Sequence, residues 1–261
     1  MKRSEIAPEQ VISMYSAKSS SWRAEVGMLA PAPGLYREYD IVAPEGVRFS
    51  QAILGLVQCT PEDLKRMNEN IEVEAKKLNM VYKSDLICLG CTSGSFIGGP
   101  SYDKEIIARI ENASGSIATT TTTCVLEVFK DMGIEKIALV GPYIESIFNT
   151  EVKFLEEHGI KTLYMKGLGI QAMAEMWRYT TDPYICYHLV KEAAQATPNA
   201  DCVFVTCMGS WILATADKAE EEIRIPVISS ASATLYGILK KLKVPDPVYN
   251  YGQALRRQRL S

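Results

Sequence analysis

The stretch Asp85-Leu86-Ile87-Cys88-Leu89-Gly90-Cys91 decides the fold, because it returns as Asp201-Cys202-Val203-Phe204-Val205-Thr206-Cys207. Each copy opens on an aspartate, runs through a short apolar segment and closes on a cysteine. Working outward, Val26-Gly27-Met28-Leu29-Ala30-Pro31 resembles Ile137-Ala138-Leu139-Val140-Gly141-Pro142. Likewise Ser116-Ile117-Ala118-Thr119-Thr120 resembles Pro226-Val227-Ile228-Ser229-Ser230. The three pairs keep one order at offsets of 110 to 116 residues, which indicates a duplicated α/β unit and not a short-period solenoid.

Between the strand-like runs lie amphipathic stretches. Residues 61–79 predict a helix, with Thr60 as N-cap, Pro61 at the first position and Leu64, Met67, Ile71 and Leu78 on one face. Residues 144–158 predict another, stopped by Gly159, and Leu235, Ile238, Leu239 and Leu242 mark a late one. Strands alternating with helices imply parallel sheets covered on both faces. The expected fold is α/β, with two pseudo-symmetric, flavodoxin-like parallel-sheet domains and a site in the cleft between them. Residues 23–123 with 230–261 would form the first domain, and 124–229 the second.

Composition narrows the function. The chain has 261 residues, 47% of them hydrophobic and 23% charged, with a net charge of −3. That balance gives no basic stripe for nucleic acid. Arg256, Arg257 and Arg259 form the one basic cluster and read as a solvated tail. No apolar leader follows Met1-Lys2-Arg3-Ser4-Glu5, and no run reaches the roughly 20 residues of a membrane span. Seven cysteines, several inside apolar runs, fit free thiols in a reducing, cytoplasmic setting.

Two of those thiols stand out. In a parallel α/β sheet, ligands bind beyond the carboxyl ends of the strands. Cys91 and Cys207 each close a strand at the equivalent place in the two halves. If the halves face each other, a small substrate would meet a thiol on each side. Cys91 runs into Thr92-Ser93-Gly94-Ser95, and Cys207 into Met208-Gly209-Ser210. Such turns present N–H groups and hydroxyls that suit an anion and would lower the pKa of a neighbouring thiol. Either cysteine could instead be a small buried hydrophobe at a strand end; the repeat at equivalent positions favours chemistry.

Other chemistries have little support. Cys88 makes a Cys-x-x-Cys with Cys91, yet an odd separation along a strand points the two side chains to opposite faces, so Cys88 belongs to the core. Cys59, Cys124, Cys186 and Cys202 are also expected to be structural. His158 and His188 have no metal-ligand partner at workable spacing, so no metal is expected. No Gly-x-Ser-x-Gly elbow, Walker loop or Gly-x-Gly-x-x-Gly occurs, and Gly167-Leu168-Gly169 is a loop fragment. Tyr143, after Gly141-Pro142, could donate its phenol to a substrate carboxylate or simply pack.

At these residues the chain resembles the aspartate/glutamate racemase superfamily, in the branch of arylmalonate decarboxylases and maleate cis–trans isomerases. The likeness runs from about Val26 to Leu255. It is carried by Gly90-Cys91-Thr92-Ser93-Gly94-Ser95-Phe96, Pro142-Tyr143-Ile144, Thr206-Cys207 with Gly209, the run Pro226 to Ser230, and Tyr251-Gly252. The resemblance implies acid and base cysteines at the two strand ends and no cofactor. It also implies a carboxylate pocket from Thr92, Ser93 and Tyr143 with the backbone amides of Met208 and Gly209. Arylmalonate decarboxylases have glycine where this chain has Cys91. Maleate isomerases carry asparagine in the loop that here reads Pro31-Ala32-Pro33-Gly34-Leu35.

A racemase needs a base on each face of the α-carbon, and a cis–trans isomerase needs one thiolate to add to an alkene. A decarboxylase needs one proton donor only. Two cysteines therefore lead to a cofactor-independent isomerase acting next to a carboxylate of a small organic acid, with assembly as a homo-oligomer left open. A decarboxylase-like lyase and a non-catalytic carboxylate binder remain the alternatives.

Overall fold

The computed structural model describes residues 21–257 apart from Leu35, Arg37, Thr181 and Trp211. The N-terminal residues 1–5 and Arg259 lie outside the described residues. The chain forms two four-stranded parallel sheets. One orders its strands β2-β1-β3-β4: β1 (Ala24–Ala30), β2 (Val47–Ile53), β3 (Leu86–Leu89) and β4 (Ile117–Thr120). The other repeats the order as β6-β5-β7-β8: β5 (Lys136–Gly141), β6 (Lys161–Gly167), β7 (Cys202–Val205) and β8 (Val227–Ser229).

The central strands are the ones visible in the sequence, for a physical reason. β1, β3 and β7 are buried along their whole length, so every position but Glu25, which pairs with Arg48, is apolar or small. The edge strands β2 and β6 pair on one side only and are largely half-buried or exposed. Their mixed composition hid them.

Register confirms the duplication and moves one match. Val26 pairs with Leu86 as Ile137 pairs with Cys202. Ile87 faces Ala118 as Val203 faces Val227, so Thr120 corresponds to Ser229, one residue from the match read in the sequence. Capping chemistry explains the shift. Thr120 Oγ1 accepts from the Thr123 N–H at 3.2 Å, and Ser229 Oγ from the Ser232 N–H at 3.0 Å. Each residue therefore opens the next helix, α6 (Thr121–Met132) and α11 (Ser230–Lys241).

The remaining helices are α1 (Tyr39–Val42), α2 (Pro61–Met67), α3 (Ile71–Tyr82), α4 (Thr92–Phe96), α5 (Tyr102–Ser114), α7 (Glu145–Glu157), α8 (Met173–Thr180), α9 (Pro183–Ala196), α10 (Ala216–Ile223) and α12 (Gln253–Arg256). Thr60 caps α2 as predicted, but the helix expected over 61–79 breaks into α2, a 3₁₀ turn at Asn68–Asn70 and α3. Asn68 is buried there; its amide donates to the Gly94 carbonyl at 2.8 Å while Arg109 takes the Asn68 carbonyl at 2.6 Å. α7 and α11 fall where expected, and Gly159, at φ +82°, follows the end of α7.

α6 and α11 pack against each other across the two halves. A Cβ on Gly237 would lie 2.4 Å from the Cys124 sulfur, so the close approach requires glycine. The basic C-terminus is not a free tail. Arg256 pairs with Asp217 at 3.2 Å and Glu220 at 3.1 Å, and Arg257 donates to the Asp131 carbonyl at 3.3 Å. Among the described residues no helix is long and apolar enough to cross a membrane.

The topology places the site. In the order β2-β1-β3-β4 the connections from β1 and from β3 leave in opposite directions, which opens a crevice at their carboxyl ends. The same crevice forms between β5 and β7, and residues beyond both pairs of strands line one shared pocket.

Candidate functional site

Cys91 follows β3 and caps α4. Its sulfur accepts the Gly94 N–H at 3.3 Å and lies 3.8 Å from the Ser93 hydroxyl. The Cys91 carbonyl is fixed by Ser95 Oγ at 2.5 Å and the Ser95 N–H at 3.0 Å. The first N–H groups of a helix have no carbonyl four residues back. Gly94 spends its own on the Cys91 sulfur, and Thr92 and Ser93 line the pocket wall. Thr92 lines that wall while donating its hydroxyl to Ser230 Oγ at 2.9 Å.

Cys207 is reached differently. It sits at φ +82°, a left-handed conformation uncommon outside glycine and frequent where a structure holds a residue for a purpose. The turn is tied down around it. Thr206 Oγ1 donates to Glu151 at 2.7 Å, Ser210 Oγ donates to the Thr206 carbonyl at 2.9 Å, and the Ser210 N–H reaches the Cys207 carbonyl at 3.1 Å. The Cys207 thiol points to the Met176 sulfur at 3.9 Å, and Gly209 and the Tyr143 phenol line the pocket with it. Tyr143 packs edge-on against Phe148, which aims its phenol into the pocket.

One pocket thus gathers Cys91, Thr92, Ser93, Tyr143, Cys207, Met208 and Gly209, every site residue singled out in the sequence. Pro31, Leu56 and, from α8, Met173, Met176, Trp177 and Thr180 close its other side. The wall opposite the hydroxyls is apolar, and among the described residues it holds no Lys, Arg or His. The space left inside, about 20 Å³, accepts about one water. α8 is held over the pocket by a clasp between equivalent loops of the two halves. Gln58 bridges Ala172, the Cys59 N–H donates to Gln171 at 2.8 Å, and the Met173 N–H to Val57 at 3.0 Å.

Cys59 is the residue the sequence misled on. It is buried, as a core thiol would be, but it lines the pocket with its sulfur 3.6 Å from Ser93 Oγ. Ser93 therefore stands between two thiols. The signal was the turn Cys59-Thr60-Pro61 at the start of α2, unreadable while the edge strand before it was unseen. Cys88 and Cys202 are fully buried in strands, and Cys124 lies behind Gly237.

Both thiols are shifted upward, contrary to the expectation that the turns lower their pKa values. Burial pushes the Cys91 thiol up, although Gly94 and Ser93 partly counter it. Burial pushes Cys207 up to about 12; Gly209 and Tyr143 oppose this, while charge on Cys91 or Glu151 adds to it. The Tyr143 phenol is also raised by burial. The donors act in the expected direction, but desolvation outweighs them. Among the described residues no group of three His, Cys, Asp or Glu side chains is placed to hold a metal ion.

A family profile described as arylmalonate decarboxylase matches residues 26–255. Maleate isomerase of Geobacillus stearothermophilus is 26% identical over 246 residues, covering 88% of this chain and 96% of its own length. Arylmalonate decarboxylase of Bordetella bronchiseptica is 27% identical over 222 residues, covering 82% and 89%. Among solved structures, a doubly substituted arylmalonate decarboxylase in liganded form matches with a TM-score of 0.82 at 26% identity, over 89% of this chain and 98% of that one. A cysteine-to-serine mutant of Nocardia farcinica maleate cis–trans isomerase, with a covalently bound succinylcysteine intermediate, matches in fold with a TM-score of 0.81 at 21% identity, over 89% and 98%.

Proposed function

The chain belongs to the arylmalonate decarboxylase family, and from that premise we propose that it is a cofactor-independent, two-cysteine isomerase acting at the carbon next to a carboxylate. The observation that carries this reading is that Cys91 and Cys207 line one pocket from the two equivalent crevices of a duplicated fold. The substrate carboxylate lies against Ser93, Thr92, Tyr143 and the amides at Met208 and Gly209. Its substituent lies against Leu56, Met173, Met176 and Trp177.

In the racemase form of the reaction, one thiolate removes the α-proton. The electron pair of the broken C–H bond moves into the carboxylate, giving an enediolate held by the neutral donors. The opposite thiol then protonates the other face, leaving the thiols exchanged and the carbon inverted. In the cis–trans form, one thiolate adds to an alkene carbon, the bond rotates and the thiolate leaves. The relatives named maleate isomerase support that variant.

A second reading, decarboxylation, is favoured by the apolar wall, which would destabilise a departing carboxylate. It leaves Cys91 without a task. Incubating the protein with malonates, maleate, and amino and hydroxy acids in deuterated water, followed by NMR, separates the three. Deuterium at the α-carbon with inversion marks the racemase, fumarate from maleate the isomerase, and a deuterated product one carbon shorter the lyase. No change in any of them would point to a binder.

A further inference from the structure

Glu151 is a buried carboxyl that the reaction above does not use. It projects from α7 and is 2% exposed. One carboxyl oxygen accepts the Thr206 hydroxyl at 2.7 Å; the other is buried with no hydrogen-bond partner among the described residues. A native interior rarely leaves such an atom unpaired without a purpose. No cation pairs with Glu151 among the described residues, and the other charged residues of α7 (Glu145, Lys153, Glu156 and Glu157) are exposed. From the elements packed around it, the titratable groups within its field are Cys207, Tyr143 and Cys59, all part of the pocket.

We propose that Glu151 is a positioning residue for Cys207: as a neutral acid it seats the Thr206–Cys207 turn, and as a carboxylate it opposes the Cys207 thiolate. The first part stands on geometry. Thr206 immediately precedes the left-handed Cys207, and its hydroxyl is anchored on Glu151. The second part stands on proximity in a low-dielectric interior, where two negative charges are mutually unfavourable. Burial holds the Glu151 carboxyl up to about 8, so it is neutral at pH 7, and its charge pushes Cys207 and Tyr143 further up. Each group gives up one proton to solvent on ionising; the pair resists giving up both. Among the described residues no carboxyl acts on Cys91 in this way, so the duplication is broken electrostatically where it is preserved in backbone.

The proposal rests on Cys207 being a working thiol, but its test needs no substrate. Cys207 alkylation by iodoacetamide is followed by peptide mass spectrometry across pH in the full-length wild type and in Glu151→Gln. The amide keeps the acceptor for Thr206 and cannot ionise. The ratio of variant to wild-type rate is expected to be near one at about pH 6 and to reach about tenfold by about pH 9.5. A ratio that does not change with pH would reduce Glu151 to a packing group and overturn the proposal. Should Glu151→Gln fail to fold, Thr206→Val serves. It removes the donor that favours the charged carboxylate, so the break in the Cys207 profile must move to higher pH; an unmoved or absent break overturns the proposal. If Cys207→Ala kept full turnover, the proposed function would fail while the alkylation ratio still reported the coupling.

Discussion

Gly94 donates its backbone N–H to the Cys91 sulfur at 3.3 Å, so the thiol caps the helix that follows it. Cys207 occupies the equivalent strand end in a left-handed conformation, with Glu151 behind it through Thr206. The two thiols share a pocket without sharing an environment. Neighbouring donors favour the thiolate at both, but Cys207 also meets opposing charge from Cys91 and Glu151. Cys91 is therefore expected to be alkylated ahead of Cys207 in the free protein, at rates that climb with pH. Time-resolved peptide mapping after iodoacetamide treatment checks the order; Cys207 reacting first would contradict this account of the pocket.

Tyr143 lines the pocket with Cys207, and the proposed reaction puts a developing enediolate against its phenol. Tyr143→Phe removes one donor with little change of shape. Turnover is expected to fall by about 10²–10³, or roughly 2.7–4 kcal/mol, with the fold intact by circular dichroism. Unchanged turnover would leave the phenol with a packing role only.

Thr92 and Ser230 offer a double-substitution test of the pocket wall. Thr92→Val leaves the Ser230 hydroxyl buried without its partner and is expected to cost about 1–3 kcal/mol in urea unfolding. Adding Ser230→Ala removes the stranded group, so stability should largely return. Activity should not return, because the hydroxyl proposed to hold the carboxylate is still missing. Recovery of both together would make the pair purely structural.

Glu151 also predicts how stability varies with pH. Its folded pKa is raised to about 8 from an ordinary 4.5, so the unfolded chain ionises first as pH rises. The contribution is fully present below the unfolded value and is lost as pH climbs towards 8, at up to about 1.4 kcal/mol per pH unit. Unfolding of Glu151→Gln should lack this decline, and the two curves should separate between pH 4.5 and 8. Parallel curves would mean that the carboxyl titrates normally.

Much of this architecture was legible in sequence because burial on two faces leaves continuous apolar runs. The central strands ending at Cys91 and Cys207 were plain, as were Thr60 and Pro61 at the start of α2. What was hidden shares a cause: it depends on contacts between distant segments. β2 and β6 are half-exposed edges, and the break at Asn68 is set by Gly94 and Arg109. Cys59 joins the pocket because its backbone pairs with Gln171 from the other half, and Glu151 looks like any helix glutamate until Thr206 is folded against it. The raised thiol pKa values were also unreadable, since desolvation depends on how tightly α8 covers the pocket.

The central claim, that both faces of the substrate need a thiol, is tested most directly by turnover and α-hydrogen exchange in Cys91→Ala and Cys207→Ala, measured by NMR in deuterated water on a substrate the wild type turns over. The account predicts that each substitution abolishes isomerisation, and that a single-cysteine racemase variant still exchanges the α-hydrogen of one enantiomer without inverting it. If Cys91→Ala retained full turnover while Cys207→Ala lost it, one proton donor would suffice, and the two-thiol account would give way to decarboxylation.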